Sequence, residues 1–115
     1  MNLYADTSAL IKRYVRESGT EQVLAYFDRF PLIGTAALTQ VEMASAMAKA
    51  VRMGWVVEAD ILIAWQDFLS HWPAYIRLPL TAGLFERATS GEIVFACYDK
   101  NLVEAARQEG LQVWP

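Results

Sequence analysis

The chain has 115 residues, 55% hydrophobic and 20% charged, with a formal net charge of −3. This composition excludes a disordered polyelectrolyte and a broadly basic nucleic-acid binder, and the length suits one domain rather than two independent cores. A single cysteine, Cys97, and a single histidine, His71, exclude an intramolecular disulfide and a zinc site of ordinary type.

Leu3-Tyr4-Ala5 is a short apolar run that stops at Asp6-Thr7-Ser8, a turn and helix-capping cluster, which predicts a strand over 3–5 and a helix over 9–15. Glu17-Ser18-Gly19 breaks that helix, and a second follows from Thr20 to its stop at Pro31. Residues 32–37 are a second strand. Thr39-Gln40-Val41-Glu42 matches a capping box and opens a helix rich in Ala and Met, closed by Gly54. An amphipathic helix over 57–69, a strand over 75–78 and a short helix over 81–88 follow. Residues 93–98 are the strongest strand; Asp99 caps a helix through Arg107, Gly110 closes it, and residues 111–114 form a last strand. Strands and helices alternate, which predicts an α/β fold, a single domain over 1–115 with a central parallel sheet of about four to five strands flanked by helices.

No apolar run approaches the roughly 20 residues of a membrane span. The opening Met1-Asn2-Leu3-Tyr4-Ala5-Asp6 lacks the basic start and long apolar stretch of a secretory signal, so a soluble, cytoplasmic protein is expected. The apolar surplus predicts a protein interface on part of the surface.

Three acids fall at corresponding places. Asp6 follows the first strand, Glu42 lies in the first turn of the helix after the second strand, and Asp99 follows the strongest strand. Open α/β sheets bind ligands outside the carboxyl ends of their strands, so acids distant in sequence can converge there. Clustered carboxylates favour a hard cation such as Mg²⁺ or Mn²⁺, which can activate water and stabilise a phosphoryl group under attack. Each acid also has a structural explanation: Asp6 and Asp99 as helix caps, Glu42 as the partner of Thr39 in the capping box. Taken singly, capping is the stronger reading. Ser8 has no nearby base for nucleophilic catalysis, and the glycines are scattered rather than gathered in a phosphate-cradling loop. Met43, Met47 and Trp65 read as core or interface, His71 as a solvated helix end, and Lys12, Arg13 and Arg16 as a solvated basic face.

Together the segments resemble the PIN-domain family, in particular the VapC-type toxins of toxin–antitoxin pairs. The stretch Leu3 through Lys12 is similar to the family's first motif, Thr39-Gln40-Val41-Glu42 with Ser45-Ala46 to its second, and Ile93 through Leu102 to its last. The resemblance implies a PIN-like domain acting as a Mg²⁺- or Mn²⁺-dependent endoribonuclease, held inactive by a cognate antitoxin and commonly homodimeric. It implies that Asp6, Glu42 and Asp99 are catalytic, metal-binding acids and that Ser8 supports the first of them. Cys97 stands where such proteins often carry a hydroxyl residue. A further acidic segment is expected between the helix over 81–88 and the late strand, yet Ala88-Thr89-Ser90-Gly91-Glu92 runs almost directly into Ile93. Glu92 and Glu86 are poor substitutes. Either the helix-containing segment near 89–92 is absent, leaving a degenerate domain with a weakened metal site, or the protein carries it beyond these 115 residues. The competing readings are a non-catalytic PIN-like interaction module and a receiver-like signalling domain. The latter usually needs an acidic pair after its first strand, whereas Asp6 stands alone.

Overall fold

The computed structural model describes residues 2–78, 86 and 92–115. Five strands, β1 (Asn2–Ala5), β2 (Ile33–Ala36), β3 (Ile76–Leu78), β4 (Ile93–Ala96) and β5 (Gln112–Trp114), form one sheet in the order β3-β2-β1-β4-β5. All four pairings are parallel. The expected parallel α/β architecture is therefore present. The helices among the described residues are α1 (Thr7–Leu10), α2 (Thr20–Phe27), α3 (Thr39–Arg52), α4 (Glu58–His71) and α5 (Lys100–Gln108), with 3-10 turns at Ile11–Arg13 and Trp72–Ala74. The helix expected over 81–88 and the junction at 89–91 lie outside the described residues, except for Glu86.

Strand order places β1 at the centre. The chain passes from β1 to β2 and β3 on one side and then returns to β4 and β5 on the other, so the connections diverge at the carboxyl ends of β1 and β4. Central strands buried on both faces should be almost continuously apolar. Leu3, Tyr4 and Ala5 in β1 and Ile93, Val94 and Ala96 in β4 are buried accordingly. One contiguous core joins β1, β2 and β4 to Ala9, Leu10, Val23, Phe27, Met43, Met47 and Phe68 from the helices. Met43 and Met47, read as core or interface, are thus core residues.

Two elements differ from the sequence expectation. The helix read over 9–15 is a short α1 followed by a 3-10 turn, in which the Tyr14 amide returns to the Ile11 carbonyl three residues back. The capping box at Thr39 does not form. Leu38 occupies the N-cap and has no side-chain cap bond. Thr39, fully buried, instead pairs with Thr35 Oγ1 at 2.9 Å, which also bonds the Ala5 carbonyl oxygen at 2.9 Å. Burying these hydroxyls requires partners, and each supplies the other's. The ends of α3 and α5 follow expectation: Gly54 and Gly110 have φ of 73° and 80°. The amides that follow them, Trp55 and Leu111, bond back to the Ala50 and Ala106 carbonyls, closing both helices with Schellman turns.

Phe68 is fully buried and packs against Tyr14, Trp65, Trp72 and Tyr75. Phe68→Ala should destabilise the fold by about 3–5 kcal/mol in urea denaturation. Tyr14 and Tyr75 hydrogen-bond to each other, and burial pushes both phenols above their ordinary value of 10.0. Above 10.0 the unfolded chain releases a proton that the folded chain retains, so this stability is complete at lower pH and is lost as pH rises. Tyr14→Phe should make the alkaline decline of the urea midpoint shallower by up to one proton's share.

Candidate functional site

β1 ends at Ala5, and the next amide, Asp6 N–H, bonds the Ala96 carbonyl of β4 at 2.9 Å. The two loops that carry Asp6 and Asp99 therefore leave the sheet side by side. Asp6 is the N-cap of α1, and its Oδ2 accepts from the Ser8 amide at 3.1 Å and the Ser8 hydroxyl at 2.7 Å. Ser8 Oγ in turn accepts from the Tyr98 amide at 2.9 Å. The Cys97 sulfur, buried between the loops, lies 3.5 Å from Ser8 Oγ and 3.6 Å from Asp6 Oδ2. Ser8 has one hydroxyl proton and gives it to Asp6, so the thiol is the donor in these longer contacts. Burial pushes the Cys97 thiol up, and the Asp6 charge adds to the rise.

Glu42 is on the first turns of α3, and its Oε1 accepts from the Thr7 hydroxyl at 3.1 Å. Without a capping box, that side chain serves the α1 loop rather than its own helix. The Tyr4 phenol is pushed up first by burial, then by the carboxylates of Asp6 and Glu42, which places both negative groups in its neighbourhood. Asp99 is exposed and caps α5: its Oδ1 accepts from the amides of Asn101 at 3.0 Å and Leu102 at 3.1 Å. The capping roles read for Asp6 and Asp99 are thus real, and the one read for Glu42 is not.

The structure brings Asp6 and Glu42 to the same end of β1 and sets the Asp99 loop beside Asp6. Among the described residues, no three of the Asp, Glu, His and Cys side chains stand close enough to hold a metal ion. The donor chemistry suits a hard cation: each of the three acids engages one carboxylate oxygen (Asp6 Oδ2, Glu42 Oε1, Asp99 Oδ1) and leaves the other without a hydrogen bond among the described residues. The geometry supplies a pair and a neighbour rather than a closed set of three ligands.

Two contributors had no sequence signal of their own. Thr7 anchors Glu42 across 35 positions of chain, and the Tyr98 amide anchors Ser8 across 90. Lys12, read as part of a solvated face, is half-buried: its ammonium bonds Glu17 at 3.0 Å and the Ser18 carbonyl at 2.8 Å, and lies 4.5 Å from the Tyr98 ring centroid. It braces the 16–19 loop against the site. His71 is exposed at the end of α4, but its Nδ1 pairs with the Tyr14 hydroxyl at 2.9 Å.

No family model and no curated protein matches this chain.

The capping duty of Asp99 can be tested by substitution. Asp99→Asn keeps a capping oxygen and should leave the melting temperature nearly unchanged. Asp99→Ala removes the cap and should cost about 1 kcal/mol, read by thermal or urea denaturation.

Proposed function

We propose that the protein is a PIN-type endoribonuclease that uses Mg²⁺ or Mn²⁺, with Asp6, Glu42 and Asp99 as its metal-binding acids. The observation that carries this reading is the Thr7–Glu42 hydrogen bond, which brings Glu42 beside Asp6 at the carboxyl end of the central strand, at the point where the chain reverses direction across the sheet. The resemblance of the three segments to the family's motifs supports it independently of the geometry.

A bound divalent cation would supply an activated water and charge stabilisation at the scissile phosphate. The chain's own part is positioning. Ser8 and Cys97 hold Asp6 through Oδ2, Thr7 holds Glu42 through Oε1 and the first amides of α5 hold Asp99 through Oδ1; the second oxygen of each, without a hydrogen bond among the described residues, would be the one to meet a cation. Lys100 follows Asp99 at the start of α5 and is exposed, a suitable place for a cation that meets RNA phosphate. Lys12 is already committed to Glu17 and Ser18.

The second reading is a non-catalytic PIN-like module that binds an antitoxin or a second copy of itself. Two observations favour it: the absence of a three-ligand group among the described residues, and exposed apolar side chains at the start of α3, in the α3–α4 connection and on α4. Leu38, Val41, Trp55, Val57 and Ile63 are all at least 60% exposed. No helix among the described residues is long and apolar enough to cross a membrane, so these side chains do not belong to a helical span.

Incubation of the purified chain with single-stranded RNA should give cleavage that needs Mg²⁺ or Mn²⁺ and stops with EDTA. Asp6→Asn and Asp99→Asn should each reduce the rate roughly a hundredfold or more while melting near the parent temperature. Metal-dependent cleavage that survives both substitutions would remove these acids from the site; no cleavage by the parent chain would favour the interaction module.

A further inference from the structure

At the amino end of the sheet, away from the acidic loops, the described residues line a half-open cavity of about 310 Å³ between α2, the end of α4 and the leads into β2 and β3. That volume lies at the small end of the range for small-molecule sites. Phe27, Phe30 and Leu24 supply an apolar wall; Arg13 and Asp28 supply opposite charges.

The guanidinium is held in place before any ligand arrives. Arg13 Nη1 donates to Tyr75 Oη at 2.7 Å, and its Cζ lies 5.9 Å from the ring centroids of both Tyr14 and Tyr75. The phenol occupies one of several N–H donors in the fork, which leaves the others able to bind a planar carboxylate. The ion pairs among the described residues join Lys12 to Glu17 and Arg16 to Glu21, so neither Arg13 nor Asp28 has an ion partner among the described residues. A half-buried cation and an exposed acid on the wall of one cavity that also presents aromatic and aliphatic side chains complement a molecule with both charges and a hydrophobic body.

We propose that this cavity binds a small zwitterion with an apolar side group, of the apolar or aromatic α-amino acid class. Its carboxylate meets Arg13, its ammonium meets Asp28, and its side group packs on Phe27 and Phe30. Nothing in the nuclease reading uses these residues, so the cavity is a second site at the opposite end of the fold.

Titration calorimetry on the whole chain tests this with L-phenylalanine and L-leucine as probes, beside 3-phenylpropionate, which lacks the ammonium, and phenethylamine, which lacks the carboxylate. Saturable one-to-one binding of at least one amino acid is expected in the millimolar range. Both analogues should bind at least about tenfold more weakly than L-phenylalanine. Leu24 is 44% exposed at the rim, so Leu24→Trp should fill the cavity and abolish binding while leaving the melting temperature unchanged. Asp28→Asn should weaken the amino acids and leave 3-phenylpropionate unaffected. The proposal is overturned if neither amino acid binds saturably, if either analogue binds as tightly as L-phenylalanine, or if binding survives Leu24→Trp. These readouts involve neither RNA nor metal, so their failure is distinct from failure of the nuclease reading.

Discussion

The Ser8 hydroxyl donates to Asp6 Oδ2 at 2.7 Å and accepts the Tyr98 amide at 2.9 Å, so the loops leaving β1 and β4 are joined through a single oxygen. The β1–β4 ladder brings these loops together but does not orient them. Its last contact is the Asp6 amide on the Ala96 carbonyl, and beyond it the chains separate into α1 and toward α5. Ser8 carries the register past the end of the sheet. Its loss would leave the Tyr98 N–H without its partner and Asp6 with only an amide and a long thiol contact to hold it. The position of Asp99, one residue after Tyr98, depends on the same bond.

Much of this was legible from the chain, and the reason lies in particular residues. Asp6 and Asp99 were readable as caps because a cap is local: the donors are the amides two or three residues ahead. Gly54 and Gly110 were readable as helix ends because both take the left-handed conformation that glycine adopts without strain. The capping box at Thr39 looked equally local but failed. The sequence pattern does not show that Thr35, four residues earlier, presents a hydroxyl to Thr39 inside the core. Once Thr39 turned inward, helix α3 began one residue sooner and Glu42 was left to Thr7, whose position depends on β1. A long-range contact defeated a local pattern, and it changed the meaning of one candidate acid.

The two ends of the sheet are organised by different chemistry. At the carboxyl ends, carboxylates are held by hydroxyls, amides and a thiol, each taking one oxygen. At the amino end, Arg13, Tyr14, His71 and Tyr75 form a chain of a guanidinium, two phenols and an imidazole that ties the 3-10 turn after α1 to the end of α4. The short stretch from Asp6 to Tyr14 reaches both ends, because α1 and its 3-10 turn cross the sheet between them. Lys12 strengthens that crossing from the side, against Glu17, Ser18 and Tyr98.

Capping and ligand binding are often weighed as rival explanations for an acid at a strand end, but here they are geometrically compatible. A helix N-terminus needs one acceptor oxygen, and a carboxylate has two. Asp6 gives Oδ2 to the start of α1, and Asp99 gives Oδ1 to the start of α5. In a parallel sheet each strand is followed by a helix, so a residue that caps such a helix already stands at the carboxyl edge where the crevice opens. Capping also fixes the side chain in one orientation, which lowers the entropy that a ligand would otherwise have to remove. The structural duty of Asp6 and Asp99 is therefore a reason for their placement at the carboxyl edge of the sheet rather than an argument against the proposed ligand role. Glu42, released from its own helix by the inward turn of Thr39, reaches the same end of β1 through a tertiary contact alone.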